Sequence, residues 1–477
     1  MALVALVFAV ACSGTRGTGR PDSHSSLTVG IGPLPSTSPQ QGVQQLVQIL
    51  STEPLVRFTD EGRPAPGLAR EWSLSPDGRS LTVVVRDGVT FHDGSPLSVD
   101  QIATSLNAAL PRAMGPAFAD VKSLSAASNQ QLDFVFSRPS PFMLEALETV
   151  IQKPGAPGVG TGPYLASRSK DTNEIVANQH YYLGRPLIDR LIINTYPTTR
   201  AAWADMLRGR VGMLLEVDPD AVDSLEASSS IKLFTFTRRY QMMIVFNPAS
   251  KALNAPAVRR SLNNAVDRDA MIKEALGGFG EPSVSPIWLH HWAFPKSRPH
   301  FSFDPAAAAA ALPPAGKGAR RLAFSCLIPQ GQAYERIALV VKRQLAAVGV
   351  DMDPQQVTMN DFVNRLAKGE YEAALVEGIN GPTMFRVYEW WHTGGSLNFG
   401  RWGSPGLDEA FDRLRHAAND DEYAKAVEGI HLEAMNNPPA IFLAWGQRAR
   451  AVSTRFVIPS EPGRDILPTI RLWKPAS

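Results

Sequence analysis

Cysteine is scarce in this chain of 477 residues, which contains only Cys12 and Cys326. A surplus of one charge is also missing, because 47 lysines and arginines face 45 aspartates and glutamates, a formal net charge of +2. Such a balance gives no support to nucleic-acid binding, which requires a concentrated basic face. No internal stretch approaches the roughly 20 apolar residues of a membrane-spanning helix, which excludes a polytopic membrane protein.

The overall composition is that of an ordinary globular protein. Hydrophobic residues make up 44% of the chain and charged residues 19%, which excludes a disordered or fibrous protein. At roughly 100–200 residues per domain, a chain of this length is expected to form two to four domains.

The N-terminus has the pattern of an export signal. Residues 2–11 (ALVALVFAVA) are apolar or small, too few to span a membrane but typical of the hydrophobic region of a signal peptide. The residues before Cys12 resemble a bacterial lipobox, although alanine stands where leucine is usual and no basic residue precedes the run. We therefore expect residues 1–12 to be a signal peptide with Cys12 as the lipidation site, and residues 13–26 to be a flexible tether. Because an acylated Cys12 cannot form a disulfide, Cys326 is expected to be a small buried hydrophobic residue.

Strand and helix patterns alternate along the rest of the chain. Ser98 and Gln101 form a capping-box pattern at the start of a helix, and two adjacent strands are predicted at 231–236 and 241–246. Alternation of this kind predicts an α/β architecture with largely parallel sheets. The run 154–163, rich in glycine and proline, lacks the Lys-Ser/Thr of a phosphate-binding loop. We interpret it as a close-packed crossing between substructures.

One stretch resembles the signature of a known family. Residues 67–73 and 75–78 precede a predicted strand, and the strand is followed by 86–100, with the sequence RDGVTFHDGSPLSVD. This pattern closely resembles the family 5 solute-binding proteins, the peptide/nickel-type binding components of ABC importers. Further matches follow in the family's order, so the resemblance covers about residues 27–445.

The resemblance implies an α/β, two-lobe fold of the periplasmic-binding-protein type (type II), with the ligand cleft between the lobes. An extra small subdomain is inserted in the first lobe. The implied division of the chain is a first lobe of 27–50, 160–238 and 446–477, an inserted subdomain of 51–159, and a second lobe of 239–445. Hinge crossings near residues 239–241 and 444–446 would let the lobes close over a ligand.

A closing cleft is expected to combine aromatic walls with a few placed polar groups. The densest such segment is 384–402, where three tryptophans fall within thirteen residues. Arginines in this segment are candidates for binding a ligand carboxylate, because a guanidinium can bind it bidentately. Only one tryptophan of the pair 390/391 is expected to contact ligand, since adjacent helix residues do not share a face. The candidate ligand-binding residues are Tyr240, Asn247, Glu377, Arg386, Trp390, Trp391, Asn398, Arg401 and Trp402.

The resemblance implies capture of a small solute by lobe closure and its delivery to an ABC permease with its ATPase subunits. Peptides of the di/oligopeptide class are the leading ligands on family grounds. Peptide binders of the family usually carry an acidic residue shortly after a Gly-Trp pair, whereas residues 377–382 here read EGINGP. Glu377 is the candidate substitute for binding a peptide α-ammonium. Nickel chelates, oligosaccharides and other small solutes remain alternatives.

The sequence gives little support for an enzymatic function. Neither a His-Glu-x-x-His zinc motif nor a Gly-x-Ser-x-Gly elbow is present, and Ser-x-x-Lys at 167–170 lacks its companion motifs. We expect no enzyme, no cofactor and no metal site, with an exported hydrolase or a sensing role as minor alternatives. The expected protein is a monomer, held by a lipid anchor on the extracytoplasmic face of the bacterial cell membrane or located in the periplasm.

Overall fold

The computed structural model describes residues 25–33, 38–166, 173–312 and 321–476. The predicted signal peptide, the lipidation site Cys12 and most of the predicted tether lie outside these residues. The strands are β1 (Ser26–Ile31), β2 (Glu53–Pro54), β3 (Val56–Phe58), β4 (Pro64–Pro66), β5 (Ala69–Leu74), β6 (Ser80–Val85), β7 (Val121–Ala126), β8 (Gln131–Phe136), β9 (Val150–Ile151), β10 (Tyr164–Ala166), β11 (Glu174–Ala177), β12 (Arg190–Thr195), β13 (Met213–Leu214), β14 (Ile231–Phe246), β15 (Gly280–Pro282), β16 (Leu322–Pro329), β17 (Val350–Val357), β18 (Ala373–Ile379), β19 (Ala440–Ser453), β20 (Phe456–Val457) and β21 (Lys474–Pro475).

Helices alternate with these strands, and three short 3₁₀ segments lie at Gly115–Asp120, Pro219–Ala221 and Leu467–Leu472. Among the described residues, no helix combines the length and the apolar character that crossing a membrane requires. The α-helices are α1 (Pro39–Ser51), α2 (Val99–Met114), α3 (Met143–Ala146), α4 (Thr199–Leu207), α5 (Val222–Glu226), α6 (Pro256–Asn264), α7 (Arg268–Leu276), α8 (Pro305–Ala311), α9 (Gln332–Ala347), α10 (Met359–Lys368), α11 (Met384–Trp391), α12 (Pro405–Arg415) and α13 (Asp420–Asn436).

An eleven-stranded sheet runs through the molecule in the order β10-β11-β12-β1-β13-β19-β14-β18-β16-β17, with β15 beside β19. Among the strand pairs of this sheet in the described part of the chain, β1 with β12 and β13, and β16 with β17 and β18, are parallel, and the others are antiparallel. The expectation of largely parallel sheets was therefore wrong. The reason is that the longest strands, β14 and β19, run antiparallel to each other and to their other neighbours.

The strands predicted at 231–236 and 241–246 form one continuous strand, β14, which corrects the prediction of two. Pairing between β14 and β19 shifts register between Thr237 and Gln241, which face Gln447 and Trp445. Three residues of β14 therefore oppose one residue of β19. A bulge of this kind bends a strand and redirects its side chains. It coincides with the predicted hinge crossings, although the hinge motion itself stays a prediction.

The segment 51–159 contains a four-stranded antiparallel sheet, β5-β6-β8-β7, with α2 beside it. The capping box of α2 is confirmed: the Ser98 hydroxyl accepts from the Gln101 backbone at 3.2 Å, and the Gln101 side chain accepts from the Ser98 backbone at 3.0 Å. The apolar face of α2 is buried in a core that also contains much of the segment from Met242 to Ala444. Residues 51–159, the predicted insertion in the first lobe, therefore share a core with residues of the predicted second lobe.

The first lobe has separate cores around β1, β12 and β13. In the second, Cys326 on β16 is fully buried, and burial raises the pKa of its thiol to about 12. The prediction of a small buried hydrophobic residue is confirmed for Cys326. The exact division of the chain into lobes stays a prediction.

Candidate ligand-binding cleft

The bulge of β14 sends two adjacent arginines in opposite directions. Arg238 approaches Glu216 and Glu377. Arg239 instead donates from Nη2 to Asp60 Oδ1 at 2.8 Å and to the Phe58 carbonyl at 3.1 Å. The bulge therefore places one charged side chain on each side of the two strands that connect the lobes.

Four charged residues meet on one side of this crossing, and we call Glu216, Arg238, Glu377 and Arg448 the crossing cluster. Arg238 lies 3.9 Å from Glu216 and 3.6 Å from Glu377. Arg448 lies 3.4 Å from Glu216 and 3.3 Å from Glu377. Glu216 follows β13 of the first lobe, Glu377 lies on β18 of the second, and the arginines lie on β14 and β19. A relative motion of the lobes would therefore change these distances.

Two tyrosines border the crossing cluster. The ring of Tyr240 lies 4.0 Å from the Arg238 guanidinium, a cation–π distance, and the Tyr334 hydroxyl donates to Glu377 Oε2 at 3.2 Å. Burial opposes the charge of Arg238, but the carboxylates of Glu216 and Glu377 outweigh it and raise the pKa of Arg238. The guanidinium consequently stays charged in a largely buried position.

The predicted aromatic segment is mostly buried within the second lobe. The Trp390 indole lies against the backbone of Gly378 and donates to the Ile379 carbonyl at 2.9 Å. Trp391 contacts Phe442 on β19 edge-on, with ring centroids 6.2 Å apart. The two tryptophans thus have different main neighbours, and Trp390 is the one beside the end of β18, where Glu377 lies.

Of three further candidates, Asn398 and Asn247 hold nearby backbone and Trp402 packs against a buried arginine. Asn398 donates to the Trp402 carbonyl and accepts from its amide, both at 2.8 Å. Asn247 donates to the Tyr371 carbonyl at 2.7 Å. The Trp402 ring is buried and covers the Arg259 guanidinium at 4.7 Å. These contacts show structural roles for the three side chains, while ligand contact by them stays a prediction.

The two candidate arginines of this segment differ sharply. Arg401 is exposed on the loop after α11 and has a backbone φ of 51°. Arg386 is held by Glu148 at 2.5 Å and by Glu389 at 2.7 Å. Burial works against the Arg386 charge, but the two carboxylates raise the pKa of the guanidinium. Arg386 therefore connects the second lobe to the inserted segment.

A buried acid lies at the same interface. Glu145 accepts from the Tyr423 hydroxyl at 2.5 Å and from the Phe385 amide at 2.8 Å. Burial raises the pKa of Glu145 from an ordinary 4.5 to about 7. An acid with a raised pKa binds its proton more tightly in the folded state, so folding stability falls as the pH rises from about 4.5 to about 7.

We expect this titration to appear in the stability of the protein. Between pH 5 and pH 8, the wild type should lose about 2 kcal/mol of unfolding free energy relative to Glu145→Gln, which cannot ionise. Urea denaturation of both proteins across this range measures the difference. Parallel profiles would show that Glu145 does not change its protonation between these pH values.

Of the nine predicted residues, the structure brings Tyr240 and Glu377 to the crossing cluster. Sequence reasoning missed its other three members, Glu216, Arg238 and Arg448. One signal was present: the adjacent arginines 238 and 239 place two charges in the middle of a mainly uncharged strand, at the predicted hinge. Among the residues that the structure describes, no group of three or more histidines, cysteines or acids is arranged to hold a metal ion.

Comparison with known proteins agrees with this architecture. The oligopeptide-binding protein AppA of Bacillus subtilis is 23% identical to this chain, with 99% of this chain and 97% of AppA covered. The solved structure of AppA in complex with a nonapeptide superimposes with a TM-score of 0.77 at 20% identity, covering 95% of this chain and 99% of AppA. NikZ of Campylobacter jejuni, solved with Ni(L-His), gives a TM-score of 0.79 at 21% identity, covering 94% and 99%. These likenesses show the two-lobe α/β fold.

The family model described as bacterial extracellular solute-binding proteins, family 5, middle region, matches residues 63–398. This span is most of the chain and includes the signature at 67–100, the bulge of β14 and residues 384–398 of the aromatic segment. The chain belongs to family 5 of the bacterial extracellular solute-binding proteins.

Proposed function

We propose that this protein is the substrate-binding component of an ABC importer and that it captures peptides of the di/oligopeptide class. The observation that carries the proposal is the crossing of β14 and β19, where charges from both lobes and both connecting strands meet. Relatives named for oligopeptide, di/tripeptide and dipeptide binding support peptides as the solute class.

The proposed mechanism is ligand-stabilised closure. A peptide between the lobes contacts both, so the closed state gains interactions that the open state lacks. The closed form is then recognised by the permease, while ATP is hydrolysed by separate subunits. The protein itself performs no chemistry on the solute. In this proposal Cys12 carries a lipid anchor, which keeps the monomeric protein beside its permease on the extracytoplasmic face of the membrane.

A nickel chelate is the second candidate solute. The fold is shared with NikZ, which was solved with Ni(L-His), and a nickel-binding periplasmic protein of Escherichia coli is 30% identical over 49% of this chain and 50% of its own length. A chelate that brings its own ligands to the metal requires no protein metal cluster.

We expect peptides to raise the melting temperature of the protein truncated before residue 27. A ligand at about 100 times its Kd stabilises by roughly 2.7 kcal/mol, which corresponds to a shift of about 2 °C or more for a protein of this size. The measurement is a thermal-shift screen of di- to pentapeptides, Ni(L-His) and oligosaccharides, followed by calorimetry. A shift with Ni(L-His) or an oligosaccharide, and none with any peptide, would overturn the peptide assignment.

A further inference from the structure

The crossing cluster is loosely bonded in comparison with other buried ion pairs of this protein. Its arginine–carboxylate distances are 3.3 Å or longer. Arg415 lies 2.6 Å from Asp120, and Arg450 lies 2.5 Å from Asp465. Charge-assisted hydrogen bonds between arginine and carboxylate are normally about 2.7–2.9 Å long. The crossing cluster therefore neutralises charge without making short arginine–carboxylate hydrogen bonds.

Hydrogen-bonding capacity is left unused within the cluster. Arg448 Nε is buried and lies 3.4 Å from Glu216 Oε2, but among the described residues it has no partner in hydrogen-bonding geometry. A guanidinium carries five N–H donors, and an unsatisfied buried donor costs free energy. Arg448 would therefore gain from a carboxylate that came within hydrogen-bonding distance of it.

The two acids of the cluster are not held equally. Glu377 is nearly fully buried and accepts a hydrogen bond from Tyr334 at 3.2 Å. Within the described part of the chain, the Glu216 side chain makes only its two ion pairs, at 3.9 and 3.4 Å. Glu216 is also more exposed than Glu377, 14% against 3% of the side chain. Glu216 is therefore the acid that an incoming carboxylate can replace.

We propose that Arg238 and Arg448 bind a carboxylate of the solute, the C-terminal one in a peptide, and that Glu216 occupies these arginines until the solute arrives. This inference rests on the proposed function and names a subsite for it. When Glu216 withdraws, two arginines remain opposite Glu377 alone, and the site has a net positive charge that favours an anion. Both arginines lie on the strands that connect the lobes, so the same contact would favour one arrangement of the lobes.

The proposal is tested by calorimetry with trialanine, trialanine amide and glutarate. Trialanine should bind the wild type at least about tenfold more tightly than its amide, and Arg238→Gln and Arg448→Gln should remove most of this preference. Glu216→Gln should bind trialanine roughly two- to fivefold more tightly, because it removes a competing ion pair. Arg239→Gln, in the same bulge but facing Asp60, is the matched control and should keep the wild-type preference.

The outcomes separate this subsite from the proposed function. Equal binding of trialanine and its amide, or unchanged binding by Arg238→Gln and Arg448→Gln, overturns the subsite and leaves peptide capture standing. Binding of glutarate but not trialanine, lost in both variants, supports the subsite and overturns peptide capture. If neither carboxylate binds the wild type, the subsite is overturned. If the arginine variants fail to fold, Glu216→Gln still tests the subsite. This variant keeps both arginines, and the proposal predicts that it binds trialanine more tightly than the wild type does.

Discussion

Replacing Arg386 with alanine is expected to lower the free energy of unfolding by about 3–5 kcal/mol, the range for breaking a buried ion pair. Arg386 holds Glu148 at 2.5 Å and Glu389 at 2.7 Å. The two acid side chains are only 14% and 6% exposed. Without the guanidinium, both carboxylates are left close together in a low-dielectric interface, where burial and mutual repulsion disfavour ionisation.

Urea denaturation at pH 7 measures this loss, and Arg70→Ala is the matched control. Arg70 pairs with Glu71 at 3.4 Å, but the two side chains are 50% and 64% exposed, so its removal should cost less than about 1 kcal/mol. Adding Glu148→Gln to Arg386→Ala should recover part of the stability, because one of the two buried carboxylates left without a cation is then neutral. Equal stability of Arg386→Ala and wild type, with weaker ligand binding, would instead assign Arg386 to the ligand.

The difference between Arg386 and Arg238 shows where sequence reasoning reaches its limit. Both arginines are largely buried and paired with acids, and only Arg386 was predicted as a ligand contact. The acids that face Arg386 and Arg238 include Glu148 and Glu377, which lie 238 and 139 positions away along the chain. No local pattern shows that these acids approach the arginines, because the approach depends on how the inserted segment and the lobes pack together.

Sequence patterns predicted structure correctly where the interacting residues are close together in the chain. The capping box of α2 involves two residues three positions apart, and the sequence predicts it correctly together with the buried face of the helix. The bulge in β14 is different, because it depends on the register against β19, about 200 residues later. The same long-range pairing makes the main sheet mixed instead of largely parallel. Resemblance to a family identified the architecture because the family motifs are associated with a known long-range packing. Composition and periodicity carry no information about such packing.

The glycine-rich crossing shows a case in which a sequence motif predicted packing correctly. A Cβ at Gly160 would lie 2.0 Å from the Ser51 carbonyl oxygen, and one at Gly162 would lie 2.4 Å from the Leu50 carbonyl oxygen. Both neighbours are backbone atoms at the end of α1, so no side chain can rotate away. The Gly162 amide also donates to the Ser51 carbonyl at 3.0 Å. Close packing is therefore confirmed at Gly160 and Gly162, where glycine is needed for the approach of two backbones, but not at Gly155 and Gly158, where a Cβ would meet nothing within 4 Å.

Gly160→Ala is accordingly expected to destabilise the protein by about 3 kcal/mol or more, at the upper end of overpacking costs. Relief of the clash requires movement of the chain around Ser51, which precedes the buried Glu53. The Glu53 carboxylate accepts from the Tyr181 hydroxyl at 2.8 Å and from the Thr161 hydroxyl at 3.1 Å, so these bonds would be strained as well.

Thermal and urea denaturation of Gly160→Ala measure the effect, with Gly403→Ala as the matched control. A Cβ at Gly403 meets only the Thr393 hydroxyl oxygen, at an ordinary 3.6 Å, so that substitution should change stability by less than about 1 kcal/mol. If Gly160→Ala were as stable as Gly403→Ala, the crossing would have room for a methyl group and the two backbones would not be in fixed contact. A large loss confined to Gly160→Ala would show that the two backbones are in fixed contact at this crossing and leave no room for a methyl group.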